Sequence, residues 1–197
     1  SATNYYGDST VSIYTSVHIY GGSFENNTTN WGLGGALFAA SGNQREDLGL
    51  EVVGTAFAGN QAIHSAGAGA VYLYGITSSF KDCKFTANST EQTHGGAMYI
   101  QRTKRFDLDN VTFTGNTAGA VRNDGWGGAV FINEIPSSLG ATFTWNGVTF
   151  EDNTSRSHGG AVGINTNVYL TLNATNIKAS NNKSISQSGG AFYLSQG

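Results

Sequence analysis

The sequence predicts an all-β solenoid that forms a single domain over residues 1–197, with about six coils of ~30 residues and three short strands per coil. Two motifs alternate along the chain, a Phe-x-x-Asn segment and a Gly-Gly-Ala segment followed by apolar residues. The middle glycines of the second motif are 34, 27, 32, 32 and 30 residues apart. Short alternating segments replace long runs of helix-forming residues, which also favours β structure.

The repeated phenylalanines and asparagines predict two structural ladders. An asparagine at the same turn of every coil can hydrogen-bond to the neighbouring coils and tolerates the left-handed backbone conformation. The Gly-Gly pair suits a positive φ or a close approach of two backbones. The ladder residues are Phe24, Phe57, Phe85, Phe113 and Phe150, together with Asn27, Asn60, Asn88, Asn116, Asn153 and Asn182.

Two short strands are expected first, because Val11 and Ile13, and then Val17 and Ile19, alternate with polar residues. In each later coil one strand ends at the repeated phenylalanine. Its inward positions are the phenylalanine and the residue two before it. Cys83 stands at such a position, where other coils have Thr, Val or Ile, so it is interpreted as a buried apolar filler.

A second strand follows Gly-Gly-Ala, and its aliphatic pairs are placed inward: Leu37/Ala39, Val71/Leu73, Met98/Ile100, Val130/Ile132, Val162/Ile164 and Phe192/Leu194. The residue between each pair then points outward. This predicts an outward ladder, broken at Gly163, that could contact a partner. Its members are Phe38, Tyr72, Tyr99, Phe131 and Tyr193. The opposite orientation, with the aromatic rings in the core, stays open.

The third strand is the least regular. Its candidates are Leu48–Val52, Ser79–Asp82, Phe106–Leu108, Phe143–Trp145 and Val168–Leu172. The spacer before it varies most in length, so insertions are expected to protrude at residues 40–47 and 134–140.

Composition limits the function. The net charge is −3 and only 12% of residues are charged, which disfavours a partner such as nucleic acid or an anionic membrane. One cysteine permits neither an internal disulfide nor a site of several cysteines. No apolar run approaches the ~20 residues that span a bilayer. No cofactor and no metal are expected, and no insertion of this segment into a membrane.

The paired motifs resemble the repeats of the polymorphic outer membrane proteins of chlamydiae, in which Phe-x-x-Asn alternates with Gly-Gly-Ala-Ile/Leu/Val. The resemblance covers essentially residues 22–194. It implies a right-handed parallel β-helix in the passenger of a surface adhesin, and a secreted or cell-surface location. It brings no catalytic residues with it.

Two clusters of side chains are candidates for a binding or metal site. His94, Trp126 and His158 precede Gly-Gly-Ala in successive coils and should form a stacked surface ladder. A metal site is not expected, because the two histidines are two coils, ~9.6 Å, apart.

Basic residues concentrate at Lys81, Lys84, Arg102, Lys104 and Arg105. They indicate either a groove for an anionic polysaccharide or a face of ion pairs. The acidic residues are not expected to recur at one register, so the chain is not expected to be an enzyme, and a polysaccharide lyase or hydrolase is the weakest alternative.

Sequons predict N-glycosylation in a eukaryote or archaeon. Asn110 and Asn173 lie off the asparagine ladder and are the better acceptors. Further candidates are Asn26, Asn88 and Asn153.

The two ends are expected to be uncapped, with the chain in phase with itself over an integral number of coils. The leading hypothesis is therefore an extracellular structural protein whose end coils stack head to tail into a surface filament, so that its partner is a second copy of itself. The alternative is a passenger fragment of a larger adhesin that binds glycans or other host surface molecules. Coils beyond residue 197 in the gene would favour the adhesin.

Overall fold

The computed structural model describes residues 16–41, 49–64, 67–121, 124–135, 140–166 and 169–196. Every strand in these ranges is paired in parallel with strands of the neighbouring turns. The chain forms an all-β parallel solenoid of the right-handed type with about five turns, and no helix occurs in the described ranges.

We define a rung as four consecutive strands, one from each sheet. The first rung contains β1 (Val17–Tyr20), β2 (Ser23–Glu25), β3 (Thr28–Thr29) and β4 (Leu37–Ala40). The second contains β5 (Gly49–Val53), β6 (Ala56–Ala58), β7 (Gln61–Ala62) and β8 (Val71–Tyr74). The third contains β9 (Thr77–Lys81), β10 (Lys84–Thr86), β11 (Ser89–Thr90) and β12 (Met98–Gln101). The fourth contains β13 (Arg105–Asp109), β14 (Thr112–Thr114), β15 (Thr117–Ala118) and β16 (Val130–Asn133). The fifth contains β17 (Ala141–Asn146), β18 (Thr149–Glu151), β19 (Thr154–Ser155) and β20 (Val162–Thr166). The last contains β21 (Leu170–Thr175), β22 (Lys178–Ser180), β23 (Lys183–Ser184) and β24 (Phe192–Gln196).

The first strands of all rungs form sheet 1, the second strands sheet 2, the third sheet 3 and the fourth sheet 4. The prediction of three strands per coil is therefore wrong, because a two-residue strand follows the ladder asparagine and forms sheet 3. About six coils were expected, whereas the path from the first strand of a sheet to its sixth makes about five turns. The bounds of the strands in sheet 1 also differ from the predicted ones by one to three residues at one or both ends. Val11, Ile13 and most of both insertions lie outside the described residues.

Left-handed residues make the corners. A left-handed residue joins sheet 1 to sheet 2 in each rung, at Gly21, Gly54, Asp82, Asn110, Gly147 and Asn176, and the first rung has a second one at Gly22. Another joins sheet 2 to sheet 3, at Asn26, Gly59, Ala87, Gly115, Asp152 and Asn181. Gly, Asn and Asp tolerate a positive φ best, which explains their recurrence here, and Ala87 is the exception.

A continuous hydrophobic core fills the interior. The five ladder phenylalanines form one column, with ring centroids 5.0, 4.7, 4.8 and 5.2 Å apart in successive pairs. Phe57, Phe85, Phe113 and Phe150 are completely buried. Cys83 is also buried, beside Thr55 and Val111 at the same register, and burial raises the pKa of its thiol. It packs as an apolar filler.

The aliphatic pairs of sheet 4 face this core, apart from Leu194 in the last rung, which is 69% exposed. The aromatic residues between them point to the opposite side, as predicted. Their predicted exposure is wrong for Tyr72, Tyr99 and Phe131, which are buried in a second apolar cluster. Leu33, Ala68 and Trp126, from the loops between sheets 3 and 4, cover them.

Candidate interaction surfaces

The ladder asparagines form a hydrogen-bonded chain across the rungs. The side-chain amide of Asn116 donates to Asn153 Oδ1 at 2.9 Å and to the Phe85 carbonyl at 3.0 Å, in the preceding rung. Its Oδ1 accepts both the backbone N–H and the side-chain amide of Asn88, each at 3.0 Å. The same pattern repeats at Asn60, Asn88 and Asn153, which are completely buried. From one asparagine to the next, donation therefore runs toward the C-terminal end, and each Oδ1 accepts from the N-terminal side.

The second glycine of each Gly-Gly-Ala motif marks the closest approach of neighbouring rungs. A Cβ added at Gly35, Gly69, Gly96, Gly128 or Gly160 would lie 2.0–2.1 Å from the carbonyl oxygen of the corresponding glycine in the next rung. Only a residue without a side chain fits such a contact. The first glycine instead has a positive φ at Gly34, Gly95, Gly127, Gly159 and Gly189. Both explanations for the Gly-Gly pair thus apply, one to each glycine.

The last rung has the same pattern with nothing in the described chain to complete it. A Cβ at Gly190 would meet only the Asn182 carbonyl oxygen, 3.7 Å away. Asn182 accepts from Asn153 and donates to the Phe150 carbonyl. Within the described residues its backbone N–H has no acceptor. At the other end, no described group donates to Asn27 Oδ1.

The last rung also exposes apolar surface. Tyr169 is 87% exposed. Leu170, Leu172 and Leu194 line a depression of about 330 Å³ beside it. Exposed apolar residues of the first rung include Val17 and Phe38. Patches of this kind mark interaction surfaces more often than isolated apolar residues do.

The aromatic ladder continues across its expected gap. Trp126 lies 5.8 Å from Phe131 and 5.3 Å from Tyr193, measured between ring centroids, and its Cβ is 3.3 Å from the Cβ position of Gly163. The indole therefore occupies the space that Gly163 leaves. Of the predicted partner ladder, only Phe38 is strongly exposed, and Tyr193 is half-buried.

His94 and His158 lie on either side of Trp126, but the three rings do not form a simple stack at the surface. The Nδ1 atom of His94 accepts the Trp126 backbone N–H at 3.1 Å, and the His158 ring stacks on Tyr193 at 4.1 Å. Burial lowers the pKa of His94, and the charge of Asp124 opposes this shift in part. Burial also lowers the pKa of His158. No group of three or more His, Cys, Asp or Glu in the described ranges is arranged to hold a metal ion.

The basic cluster does not form one groove. Lys81 and Arg105 lie on sheet 1, Lys84 lies on sheet 2, and Arg102 lies at the corner that leads into sheet 1. Ion pairs join Lys81 with Asp109 at 3.6 Å, Arg102 with Glu134 at 3.1 Å, and Arg105 with Asp107 at 2.6 Å. The basic residues therefore lie on separate faces, and Lys81, Arg102 and Arg105 are paired with acidic ones. They do not form a groove for an anionic polysaccharide.

Sheet 1 carries a polar column that sequence reasoning missed. His18, Glu51, Ser79, Asp107, Thr144 and Asn173 occupy one outward register on successive rungs. The expectation that acidic residues share no register is thus wrong for Glu51 and Asp107. The spacers before sheet 1 differ in length, so counting from the motifs does not align these two residues. A groove of about 220 Å³ lies between them.

The sequons differ in accessibility. Asn88 and Asn153 are completely buried with their side chains in the ladder, so their selection as glycosylation candidates is corrected. Asn26, Asn110 and Asn173 are exposed. The Asn110 amide donates to Asp82 Oδ1 at 2.6 Å. Glycosylation of these three residues stays a prediction.

No helix in the described part of the chain is long and apolar enough to cross a bilayer.

A family model for the Chlamydia polymorphic membrane protein repeat matches residues 110–133. This segment begins at a corner and contains β14, β15 and β16, with both repeated motifs. The predicted resemblance is confirmed over these residues. No significant match was found among curated proteins or solved structures. The repeat and the solenoid together fit a surface-associated, autotransporter passenger-like fragment.

Proposed function

We propose that this chain is an extracellular structural solenoid of the cell surface whose end rungs stack head to tail, so that copies build a filament. The observation that carries the proposal is Gly190. The glycines before it are needed because another rung lies within 2.0–2.1 Å of the Cβ position. No rung of the described chain lies this close to Gly190. A glycine at this position therefore leaves room for the first rung of a second molecule.

Hydrogen bonding across the junction has the right polarity. The last rung offers the Asn182 backbone N–H and side-chain amide, whereas the first rung offers Asn27 Oδ1. The outer edges of β21 and β1 belong to the same sheet and run in the same direction. Ladder bonds between four such pairs of strands would supply affinity, as in strand augmentation. A contact of this kind is heterologous and propagates when it does not close.

Apolar burial supports the same junction. Stacking removes the last rung's Leu194 and Tyr169 and the first rung's Val17 and Phe38 from water. Each fully buried side chain of this size contributes roughly 1.5–3 kcal/mol.

A second candidate follows from the match to the polymorphic membrane protein repeat at residues 110–133. Here further coils of a longer polypeptide would cover the same edges, and the solenoid would be the passenger of a surface adhesin. Recognition of host protein or glycan would then reside on a side face.

The experiment compares wild-type protein with Gly190→Ala by analytical ultracentrifugation and negative-stain electron microscopy at rising concentration. A methyl group at Gly190 has room in the isolated subunit but would clash with an incoming rung. We expect rods from the wild type and dispersed 20.6 kDa particles from Gly190→Ala. Ser180→Ala changes an exposed side chain of the same rung and is expected to form rods. Dispersed wild-type particles at every concentration would overturn the filament and leave the adhesin.

A further inference from the structure

We propose that the outer face of sheet 1 is a binding site for a neutral, hydroxyl-rich saccharide, centred on the groove between Glu51 and Asp107. The inference rests on side chains of a lateral face and does not depend on stacking at the ends. The groove has a volume of about 220 Å³ and opens on the side of the first four rungs. Its lining includes the small residues Gly49, Thr77 and Ser79 and the larger side chains of His18, Glu51, Arg105 and Asp107.

One wall is built by the first two rungs. Glu51 Oε2 accepts the Tyr20 hydroxyl at 2.7 Å and lies 2.8 Å from His18 Nδ1. The His18 and Tyr20 rings are stacked at 6.1 Å with an interplanar angle of 17°. Tyr20 is 67% exposed and joins this wall through its hydroxyl group on Glu51. An aromatic face with a polar edge suits a ligand that alternates C–H and O–H groups.

The opposite wall is built by the fourth rung. Arg105 Nε donates to Asp107 Oδ2 at 2.6 Å, and the Thr144 backbone N–H donates to Asp107 Oδ1 at 3.1 Å. These bonds hold the carboxylate in place. Arg105 itself is 68% exposed and retains other N–H donors. The groove therefore presents fixed acceptors and free donors together, which is what a saccharide hydroxyl requires.

The charges of the side chains around the groove favour a neutral ligand. Two carboxylates face one guanidinium and one imidazole, so the groove has no excess of positive charge for an anionic polysaccharide. Glu51 and Asp107 are two rungs apart, ~9.6 Å, which is too far to share one cation. A neutral molecule that both donates and accepts hydrogen bonds satisfies all four groups.

The column extends the site beyond the groove. Ser79, Thr144 and Asn173 repeat polar side chains at one register, spaced by ~4.8 Å per rung. A linear saccharide running along the solenoid axis can meet one polar side chain on each rung. The groove is smaller than the ~300–1,000 Å³ of pockets for drug-sized ligands, so it holds one sugar ring of a longer chain.

The geometry supports binding rather than hydrolysis. Inverting glycosidases separate their carboxyl groups by ~6.5–9.5 Å and need one of them protonated as a general acid. Hydrogen bonds from Tyr20 and then His18 lower the pKa of Glu51, the direction opposite to that of a general acid. Asp107 is already held as an acceptor by Arg105 and the Thr144 N–H.

The test is a ¹⁵N NMR titration with maltotriose, cellotriose and chitotriose, with trigalacturonate as the anionic comparison. We expect at least one neutral trisaccharide to shift the amide signals of Gly49, Thr77 and Ser79. Glu51→Gln and Asp107→Asn should each weaken its binding by about tenfold, since each replaces a hydrogen bond to a charged group by a weaker one to a neutral amide. Asp109→Asn removes a carboxylate that pairs with Lys81 outside the groove, and should leave the affinity unchanged.

Three results would overturn the site. They are the absence of shifts at these amides with every neutral trisaccharide at millimolar concentration, unchanged affinity in Glu51→Gln and Asp107→Asn, or tighter binding of trigalacturonate. All three variants alter partly exposed side chains on the outer face of sheet 1, outside the hydrophobic core. A circular dichroism spectrum identical to that of the wild type is therefore expected and excludes misfolding as the cause of lost binding.

Discussion

The Cβ position of Gly96 lies 2.0 Å from the carbonyl oxygen of Gly128 in the next rung. The same position lies 2.6 Å from backbone atoms of Thr117. Rigid backbone surrounds the site on both sides, so a methyl group cannot be accommodated by a rotamer change. The Gly-Gly-Ala motif therefore sets the spacing of the solenoid, and its second glycine is the residue least open to substitution.

Gly96→Ala should lower the free energy of unfolding by about 3 kcal/mol, because overpacking against backbone forces neighbouring rungs apart. The measurement is urea denaturation followed by circular dichroism. Gly190→Ala is the matched control, since the same methyl group there meets only the Asn182 carbonyl at 3.7 Å. Equal losses in the two variants would show that the glycine acts through backbone freedom and not through the approach of the next rung.

Asn116→Ala should be at least as damaging. The substitution removes two donated bonds, to Asn153 Oδ1 and the Phe85 carbonyl, and leaves the buried Asn88 N–H without an acceptor. Each buried orphan costs roughly 1–3 kcal/mol, so we expect a loss of about 4 kcal/mol in the same denaturation experiment.

Asn27→Ala is the control for this ladder, because Asn27 is exposed and, within the described residues, its side chain donates only to Asn60 Oδ1. Asn27→Ala should lower the free energy of unfolding by about 1 kcal/mol. A comparable loss at both positions would mean that ladder bonds contribute equally whether buried or exposed, contrary to the proposed role of burial.

The rungs and their inward residues follow from the sequence because identical motifs fix the register. Phe85, Phe113 and Phe150 lie in one column for that reason. Sheet 3 could not be predicted, since strands of two residues are too short to show alternation. Its strands follow the ladder asparagine, as Thr117–Ala118 follows Asn116.

The burial of the aromatic ladder was missed for another reason. Alternation along a strand gives the face of Tyr99 but says nothing about what covers that face. The covering residues Leu33, Ala68 and Trp126 come from loops of different length and share no residue type. The groove between Glu51 and Asp107 was missed similarly, because variable spacers hide the register of sheet 1.

Ser78→Ala should stabilise the protein. Ser78 is 2% exposed and lies at the inward register between Leu50 and Phe106, and its Oγ has no hydrogen-bond partner among the residues that the structure describes. Removing an unsatisfied buried hydroxyl should raise the free energy of unfolding by about 1 kcal/mol. The measurement is the urea midpoint.

Ser79→Ala, on the same strand but facing outward, should change the free energy of unfolding by less than about 0.5 kcal/mol. A loss of stability in Ser78→Ala would indicate that the hydroxyl is satisfied in solution.

Stability should fall on acidification through about pH 6.5, the ordinary pKa of histidine, because of His94. Burial among Trp126, Tyr99 and Phe131 lowers the pKa of His94, and Asp124 opposes the shift only in part. The unfolded chain therefore binds a proton more readily than the folded chain between the two pKa values. The contribution of neutral His94 is fully present above the unfolded pKa and is lost as the pH falls toward the lower folded pKa. Protonation also turns Nδ1 from an acceptor of the Trp126 N–H into a second donor.

The measurement is the thermal midpoint of the wild type and His94→Gln between pH 7.5 and 5. Glutamine cannot fill the imidazole site, so the variant should be less stable at pH 7.5. Its midpoint should nevertheless fall less on acidification, because one of the groups that take up a proton on unfolding is gone. His158, whose pKa burial also lowers, keeps part of the slope in both proteins. Parallel curves for the two proteins would mean that His94 does not couple protonation to folding.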